Sequence, residues 1–153
     1  METTTERLSV TREVLIEARP ETVWEFLVDP EKISRWKGIA VSFEPAVGGA
    51  FRNEVIPNNI AIGEIVELDA PRRLVYTWGW EGNPAVPPGS TTVEYELIPE
   101  GGGTRLRLTH RDLPNSEAAE SHAHGWAHYL QRLAVVASGG DPGVDSYAVE
   151  RSE

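Results

Sequence analysis

The feature that most constrains this chain is a run of short alternating segments between Gly63 and Arg111, followed by one long amphipathic stretch near the C-terminus. Apolar and polar residues alternate with a period of two through the run, which predicts half-buried strands. Turn residues separate these strands and leave no room for crossover helices, so the sheet must be antiparallel. A twisted sheet closed by a single helix tends to enclose an apolar space, and we expect any function to reside there.

The same reasoning predicts about seven strands and two short helices. The first strand covers residues 8–18, with Leu8, Val10, Val14, Ile16 and Ala18 on one face and Arg12 as the charged exception on that face. The other six strands are predicted at about 41–46, 50–56, 60–68, 73–80, 91–99 and 104–111. Pro20 and the pair Asp29-Pro30 favour helix starts, which predicts a bent pair of short helices leading to Trp36.

The last helix is predicted to open at Pro114-Asn115. Its apolar stripe has the spacing of one buried helix face and consists of Ala119, His122, Ala123, Trp126, Leu130, Leu133 and Ala137. Gly125 within this helix would be explained by a close approach of the helix backbone to the sheet. Gly139, Gly140 and Pro142 end the helix. We therefore expect a single domain at residues 1–138 and a mobile or loosely packed tail at 139–153.

Composition excludes several classes of function. The chain has 153 residues, of which 40% are apolar, and this suits one domain with a real core. It has no cysteine, which excludes disulfides, thiolate metal sites and cysteine nucleophiles. We find no apolar run of about 20 residues and no secretory signal, so a cytoplasmic location without a membrane span is expected. A net charge of −10 disfavours nucleic-acid binding.

Counting by two along the strands gives the expected inward face of the sheet. It comprises Ile62, Glu64, Val66 and Leu68, then Leu74, Tyr76, Trp78 and Trp80, then Val93, Tyr95 and Leu97, and finally Leu106, Leu108 and His110. Large aromatic residues with polar tips suit the wall of a pocket, although they are equally suited to filling a core. His110 and His122 are expected to face the same end of the cavity, either as ligand contacts or as hydrogen-bonded structural histidines.

Glu64 and Arg12 are the charged residues on inward rows. If they line the cavity, they favour a ligand with a polar head; the alternative is that the strand phase slips by one residue and both are solvated. No cofactor or metal is predicted. His124 and His128 lie four residues apart but lack a third ligand, and 101–103 is a hairpin turn rather than a phosphate loop.

The chain closely resembles one branch of the SRPBCC superfamily, the branch named after the activator of heat-shock-protein-90 ATPase (AHSA). The resemblance covers roughly Val10 to Leu133 and rests on the segments PETVWEFLVDPEKISRW, VGGAFR, GEIVELDAPRRLVYTWGW, STTVEYELIPEGGGTRLRLTH and HAHGWAHYLQRL. It implies an α+β helix-grip (START-like) fold. In this fold a strongly curved antiparallel sheet of six to seven strands has two short helices after its first strand, and one long C-terminal helix packs over the sheet.

Members of that superfamily include lipid carriers, hormone receptors, cyclases, hydrolytic enzymes and chaperone-binding domains, so the fold alone does not choose a function. Our leading hypothesis is a protein that binds an apolar or amphipathic small molecule, such as a lipid. The candidate ligand-binding residues are Trp36, Phe51, Glu64, Trp78, Trp80, Tyr95, His110, His122 and Trp126.

Two other hypotheses remain open. The first is a chaperone-associated or regulatory interaction module that acts through its acidic surface. The second is a cyclase- or hydrolase-type enzyme that uses His110 or His122 with Glu64 as acid and base. An exposed edge strand near the first residues is compatible with a homodimer. The proline-containing loop at 81–90 is either a lid, a partner surface or a rigid connector.

Overall fold

A computed structural model describes residues 8–147 of the chain. The elements in chain order are β1 (Leu8–Ile16), α1 (Pro20–Val28), α2 (Pro30–Ile33), β2 (Ala40–Phe43), β3 (Ala50–Ile56), β4 (Asn59–Asp69), β5 (Arg73–Trp78), β6 (Thr91–Glu100), β7 (Gly103–Leu113) and α3 (Ser116–Ala137). The sheet has seven strands in the order β1-β7-β6-β5-β4-β3-β2, and every neighbouring pair is antiparallel. The predicted helix-grip fold is confirmed.

Local sequence signals explain where the helices begin. Pro20 stands in the first turn of α1, and the Asp29 carboxylate at the start of α2 accepts a hydrogen bond from the Glu31 backbone N–H at 3.0 Å. The Asn115 side chain likewise accepts from the Ala118 N–H at 2.8 Å at the start of α3. The bent pair α1–α2 is fastened by Trp36, whose indole Nε1 donates to the Phe26 carbonyl at 2.8 Å.

Helix α3 lies over β1 and β7 and beside α1. The buried residues of this helix all come from its second half: Trp126, Tyr129, Leu130, Leu133 and Ala137. They join a core built from the inward faces of the strands and from α1. The first half, residues 116–125, contributes no buried side chain, so the helix packs firmly along only part of its length.

The predicted strand phase on β4 is wrong. Ala61 and Ile65 are buried there, whereas Glu64 is exposed and Val66 is 52% exposed. Gly63 lies on the inward row between them. A Cβ added at this position would lie only 2.5 Å from the Phe51 ring, so the site has no room for a side chain. A register shift between residues 65 and 67 then changes the alternation, as a bulge does.

Arg12, the other charged residue of the expected inward rows, is solvated, which was the alternative considered for both residues. Its side chain is exposed, and among residues 8–147 its guanidinium hydrogen-bonds only to the carbonyl of the preceding residue, Thr11, at 3.2 Å. The strand therefore keeps Val10 and Ile16 buried while Arg12 turns to solvent. Neither charged residue of the expected inward rows enters the interior.

Charged side chains on the outer face of the sheet are paired across the strands. Arg73 on β5 contacts Glu67, Glu94 and Glu96, with the first two at 3.0 Å. On β7, Arg105 and Arg107 both bind the Glu13 carboxylate of β1, and these bonds lower the pKa of Glu13. Much of the acidity of this face is therefore matched by arginine.

Residues 140–147 lie against α3. The Asp145 carboxylate accepts from the Tyr129 hydroxyl at 2.7 Å and lies 2.8 Å from His128 Nε2. The ring of Tyr147 stacks on that of His128, with centroids 3.8 Å apart and planes within 2°. Side-chain contacts thus hold this part of the expected tail to the helix, and residues 148–153 lie outside the described residues.

Candidate ligand cavity

A cavity of about 980 Å³ separates the first half of α3 from the sheet; we call it the main cavity. The sheet side is formed by the end of β3, the β3–β4 hairpin, the end of β5 and the loop that follows β5. Its rim consists of exposed residues from that loop and from α3, namely Gly82, Pro84, Ala85, Glu117, Ser121 and His124. The volume lies near the top of the range of about 300–1,000 Å³ that is usual for small-molecule sites.

Tryptophan forms the apolar wall of the main cavity. Trp78 is only 3% exposed, and its ring lies 5.3 Å from that of Trp80 and 5.5 Å from that of Trp126. These centroid distances are typical of aromatic packing. Tyr129 completes the wall on the helix side. These rings meet because the inward row of β5 faces the apolar stripe of α3, and both sets of residues follow the phase expected from the sequence.

His110 is buried behind this wall and is held in one neutral form. The Thr91 hydroxyl donates to the Trp78 carbonyl at 2.8 Å and must therefore accept from His110 Nε2, also at 2.8 Å. The Trp126 indole Nε1 donates to His110 Nδ1 at 3.0 Å. Burial, followed by the nearby His122 and Lys37, lowers the pKa of His110 to about 2. Both ring nitrogens are occupied.

His122 borders the main cavity and adopts the opposite tautomer. Its Nε2 accepts from the Trp80 indole Nε1 at 3.0 Å, so its Nδ1 carries the proton and donates to the Ala118 carbonyl at 2.8 Å. Burial lowers its pKa despite that carbonyl. The imidazoles of His110 and His122 meet edge to face at 4.8 Å. Each histidine thus orients one tryptophan of the wall.

Three further candidate residues line a separate, much smaller space. Trp36, Phe51 and Tyr95 surround a void of about 20 Å³, which we call the small void and which has room for about one water. Beside it the hydroxyls of Tyr76 and Tyr95 lie 2.8 Å apart, and burial raises the pKa of both. Of the predicted set, only Trp78, Trp80, His122 and Trp126 line the main cavity.

Glu64 lines neither space and is exposed on the outer side of β4. Gly125 also has a different explanation from the one predicted. No atom lies within 4 Å of the position that a Cβ would occupy, so there is no close approach to the sheet. The helix backbone at Gly125 instead borders the main cavity, and its missing side chain enlarges that space.

Sequence reasoning missed Lys37, which borders both spaces. Its side chain is 4% exposed, and its Nζ lies over three indole faces, 4.3 Å from the ring centroid of Trp126, 4.7 Å from Trp78 and 5.3 Å from Trp36. Such contacts stabilise an ammonium group. Lys37 stands in the connection between α2 and β2, where no periodic pattern indicates which residues face inward. The one indication in the sequence was that Lys37 directly follows Trp36, a candidate ligand-binding residue.

Lys37 has no counter-charge within the described part of the chain. No carboxylate among residues 8–147 lies within 4.0 Å of its Nζ, and the Nζ makes no hydrogen bond with those residues. Burial lowers the pKa of Lys37 to about 7. A second donor, the Trp78 indole Nε1, is buried and also lacks an acceptor in the described residues. The Oδ1 of Asn53, which lines the small void together with Lys37, is a buried acceptor that lacks a donor among the same residues.

Residues 8–147 contain no group of three histidine, cysteine, aspartate or glutamate side chains arranged to hold a metal ion. Over the same residues, none of the helices combines the length and the apolar character that crossing a membrane requires.

Comparison with known proteins places these features in a family. The model of the family described as "Activator of Hsp90 ATPase homolog 1-like protein" matches residues 17–138. No curated protein is significantly similar to the chain. The matched residues include α1, α2, strands β2 to β7 and α3, and therefore every element that borders the main cavity.

Solved structures show the same architecture. An AHSA1-like protein from Rhizobium etli is 46% identical, with a TM-score of 0.77 over 96% of this chain and 92% of that one. CalU16 from Micromonospora echinospora is 29% identical, with a TM-score of 0.69 over 90% of this chain and 88% of that one. An Hsp90 activator from Plasmodium falciparum is 23% identical, with a TM-score of 0.67 over 85% and 94%, and shows the fold alone.

Proposed function

This chain belongs to the family of Activator of Hsp90 ATPase homolog 1-like proteins, and we propose that it binds an apolar or amphipathic small molecule in the main cavity. The observation that carries the proposal is a space of about 980 Å³ walled by Trp78, Trp80 and Trp126 beside the hydrophobic core. An apolar ligand gains about 25 cal/mol for each Å² of surface that it hides from water. The tryptophan rings of the wall are already held in place, so they can contact an apolar ligand without changing conformation.

The hydrogen bonds of the wall support this proposal. The indole N–H groups of Trp80 and Trp126 each donate a hydrogen bond to a histidine, so they do not need a ligand as hydrogen-bond partner. The ring faces remain for apolar contact. A prepared wall lowers the cost of ordering side chains on binding.

The enzymatic alternative receives less support from the same geometry. His110 and His122 have both ring nitrogens engaged with protein groups, and Glu64 lies on the outer side of β4. The acid–base set considered above is therefore not assembled in the main cavity. The interaction-module alternative relied on an acidic surface, and on the outer sheet face three of the acids, Glu13, Glu67 and Glu94, are paired with arginine.

The test uses N-phenyl-1-naphthylamine, a neutral apolar probe whose fluorescence rises in apolar surroundings. Gly125→Leu places a side chain in the main cavity where a Cβ meets no other atom, so the fold should tolerate it. We expect the wild type to bind the probe and Gly125→Leu to weaken binding by about tenfold or more, which corresponds to about 1.4 kcal/mol.

Ala127→Leu is the matched control, since Ala127 is exposed on the same helix and does not border the main cavity. It should bind the probe like the wild type. The proposal is wrong if the wild type binds neither this probe nor lipids added in its place, or if Gly125→Leu binds as well as Ala127→Leu.

A further inference from the structure

We propose that Lys37 is the recognition point for an anionic group, so that the main cavity selects amphipathic organic acids over neutral molecules of the same shape. The ligand would place its carboxylate, sulfonate or phenolate oxygen at Lys37 Nζ and its apolar body along the tryptophan wall. This inference rests on the proposed function and adds the chemical class of the ligand.

The position of Lys37 is the first argument. Its side chain lies at the inner end of the main cavity, where that cavity meets the small void, and both spaces contact it. The ammonium group lies against the ring faces of Trp78 and Trp126. The charge is thus fixed in place rather than free to reach solvent, as an exposed lysine would be.

The missing counter-charge is the second argument. The chain contains 24 acidic and 14 basic residues, yet none of the acids within residues 8–147 pairs with this buried lysine. The two glutamates that border the main cavity, Glu81 and Glu117, are exposed and form no ion pair with any residue from 8 to 147. A buried charge without a partner is costly, and proteins ordinarily supply one. Here the ligand is the group that completes the pair.

The other polar groups near Lys37 carry no charge that would replace an anion. Asn53 uses its side-chain N–H to donate to the Lys37 carbonyl at 3.2 Å, and His110 is neutral because both its nitrogens are bonded. The Trp78 N–H and the Asn53 Oδ1 are a buried donor and a buried acceptor that lack partners among the described residues, so they favour neither sign of ligand charge. The preference for an anion therefore rests on the Lys37 ammonium group itself.

The chain offers an unusually clean test because it has only two lysines, Lys32 and Lys37. Lys32 is half-buried on α2 and pairs with Glu25, so Lys32→Met is the matched control. Lys37→Met keeps the length of the side chain and removes its charge. Lys37→Gln serves the same purpose if the methionine variant does not fold, as judged by thermal unfolding.

The probes are also matched. 8-Anilinonaphthalene-1-sulfonate has the ring system of N-phenyl-1-naphthylamine with one sulfonate added. At pH 6, we expect the wild type and Lys32→Met to bind the sulfonate about tenfold more tightly than the neutral probe. Lys37→Met should lose that preference, measured as the ratio of the affinities of this one variant for the two probes.

The outcomes separate this inference from the function on which it rests. If the wild type binds the neutral probe without preferring the sulfonate, or if Lys37→Met retains the preference, the role of Lys37 is refuted and the cavity remains a binding site. If the wild type binds neither probe and no lipid added in their place, both proposals fail together.

Discussion

The Trp126 indole donates a hydrogen bond to His110 Nδ1 across 3.0 Å, and the same imidazole donates through Nε2 to Thr91. This arrangement links α3 to β6 and β7 through one neutral ring buried in the core. His110 therefore connects the final helix to the sheet through hydrogen bonds. Its contribution to stability and that of its neighbours can be measured directly.

Replacing His110 by alanine should destabilise the protein by about 2–4 kcal/mol, because the change leaves a hole and removes the acceptor of the Trp126 N–H. Urea unfolding followed by tryptophan fluorescence measures this loss. His124→Ala is the control, since His124 is exposed on α3, and it should change stability by no more than about 0.5 kcal/mol. Equal effects of the two variants would contradict the structural role of His110.

Lys37→Met should stabilise the protein most at low pH. The pKa of Lys37 is lowered to about 7 in the folded state, while the unfolded chain keeps the ordinary value near 10.5. Below pH 7 both states carry the charge, and the folded state bears the full cost of burying it. Between about pH 7 and 10 the folded state alone loses the proton, so wild-type stability rises with pH relative to the variant.

We expect Lys37→Met to gain about 2–4 kcal/mol at pH 6 and much less at pH 10, the tryptophan contacts offsetting part of the charge burial. Paired urea titrations of wild type and variant at several pH values measure this difference. Lys32→Met, which removes the half-buried lysine of α2, is the comparison variant in the same titrations. A Lys37→Met gain that is independent of pH would mean that the lysine does not titrate in this range.

Two glycines should respond to alanine in opposite directions. Gly125→Ala should stabilise the protein by about 0.5–1 kcal/mol, because the position is helical and the added Cβ meets no other atom. Gly63→Ala should destabilise it by about 2 kcal/mol or more, since the new Cβ would overlap the Thr77 carbonyl and approach Phe51. Chemical unfolding distinguishes the two, and stabilisation by Gly63→Ala would disprove the close contact.

Removing the Asp145 carboxylate should release residues 145–147 while leaving the core intact. Burial raises the pKa of this group, but its bonds to His128, Tyr129 and the Tyr147 N–H outweigh that effect and hold it below the usual value. Asp145→Ala should therefore speed amide exchange at Tyr147 by about tenfold or more. Exchange on β6 should stay unchanged. Asp141→Ala, at a more exposed position of the same segment, serves as the comparison.

The order of elements was predictable from the sequence because two periodicities and a few caps specify it. Alternation identified the strands, and Pro20, Asp29 and Asn115 marked the helix starts. The prediction failed on β4, where Gly63 contributes no side chain to the pattern and a register shift follows it. A period-two count has no means of detecting either event.

The candidate site was predictable only in part, for a related physical reason. Trp78, Trp80, His122 and Trp126 lie on regular elements whose inward faces follow from counting. Lys37 lies in a connection, and its burial depends on how three indoles surround it. The separation of Trp36, Phe51 and Tyr95 into another space likewise depends on packing between elements rather than on their own sequence.

Helix α3 is anchored from Trp126 onward, whereas none of its first ten residues is fully buried. Selection can therefore act differently on the two parts of the helix. Substitutions at exposed positions such as Ser121 can change the shape of the cavity entrance with little effect on stability, while changes at the buried positions from Trp126 onward destabilise the fold. A protein divided in this way can acquire new binding preferences and keep its architecture.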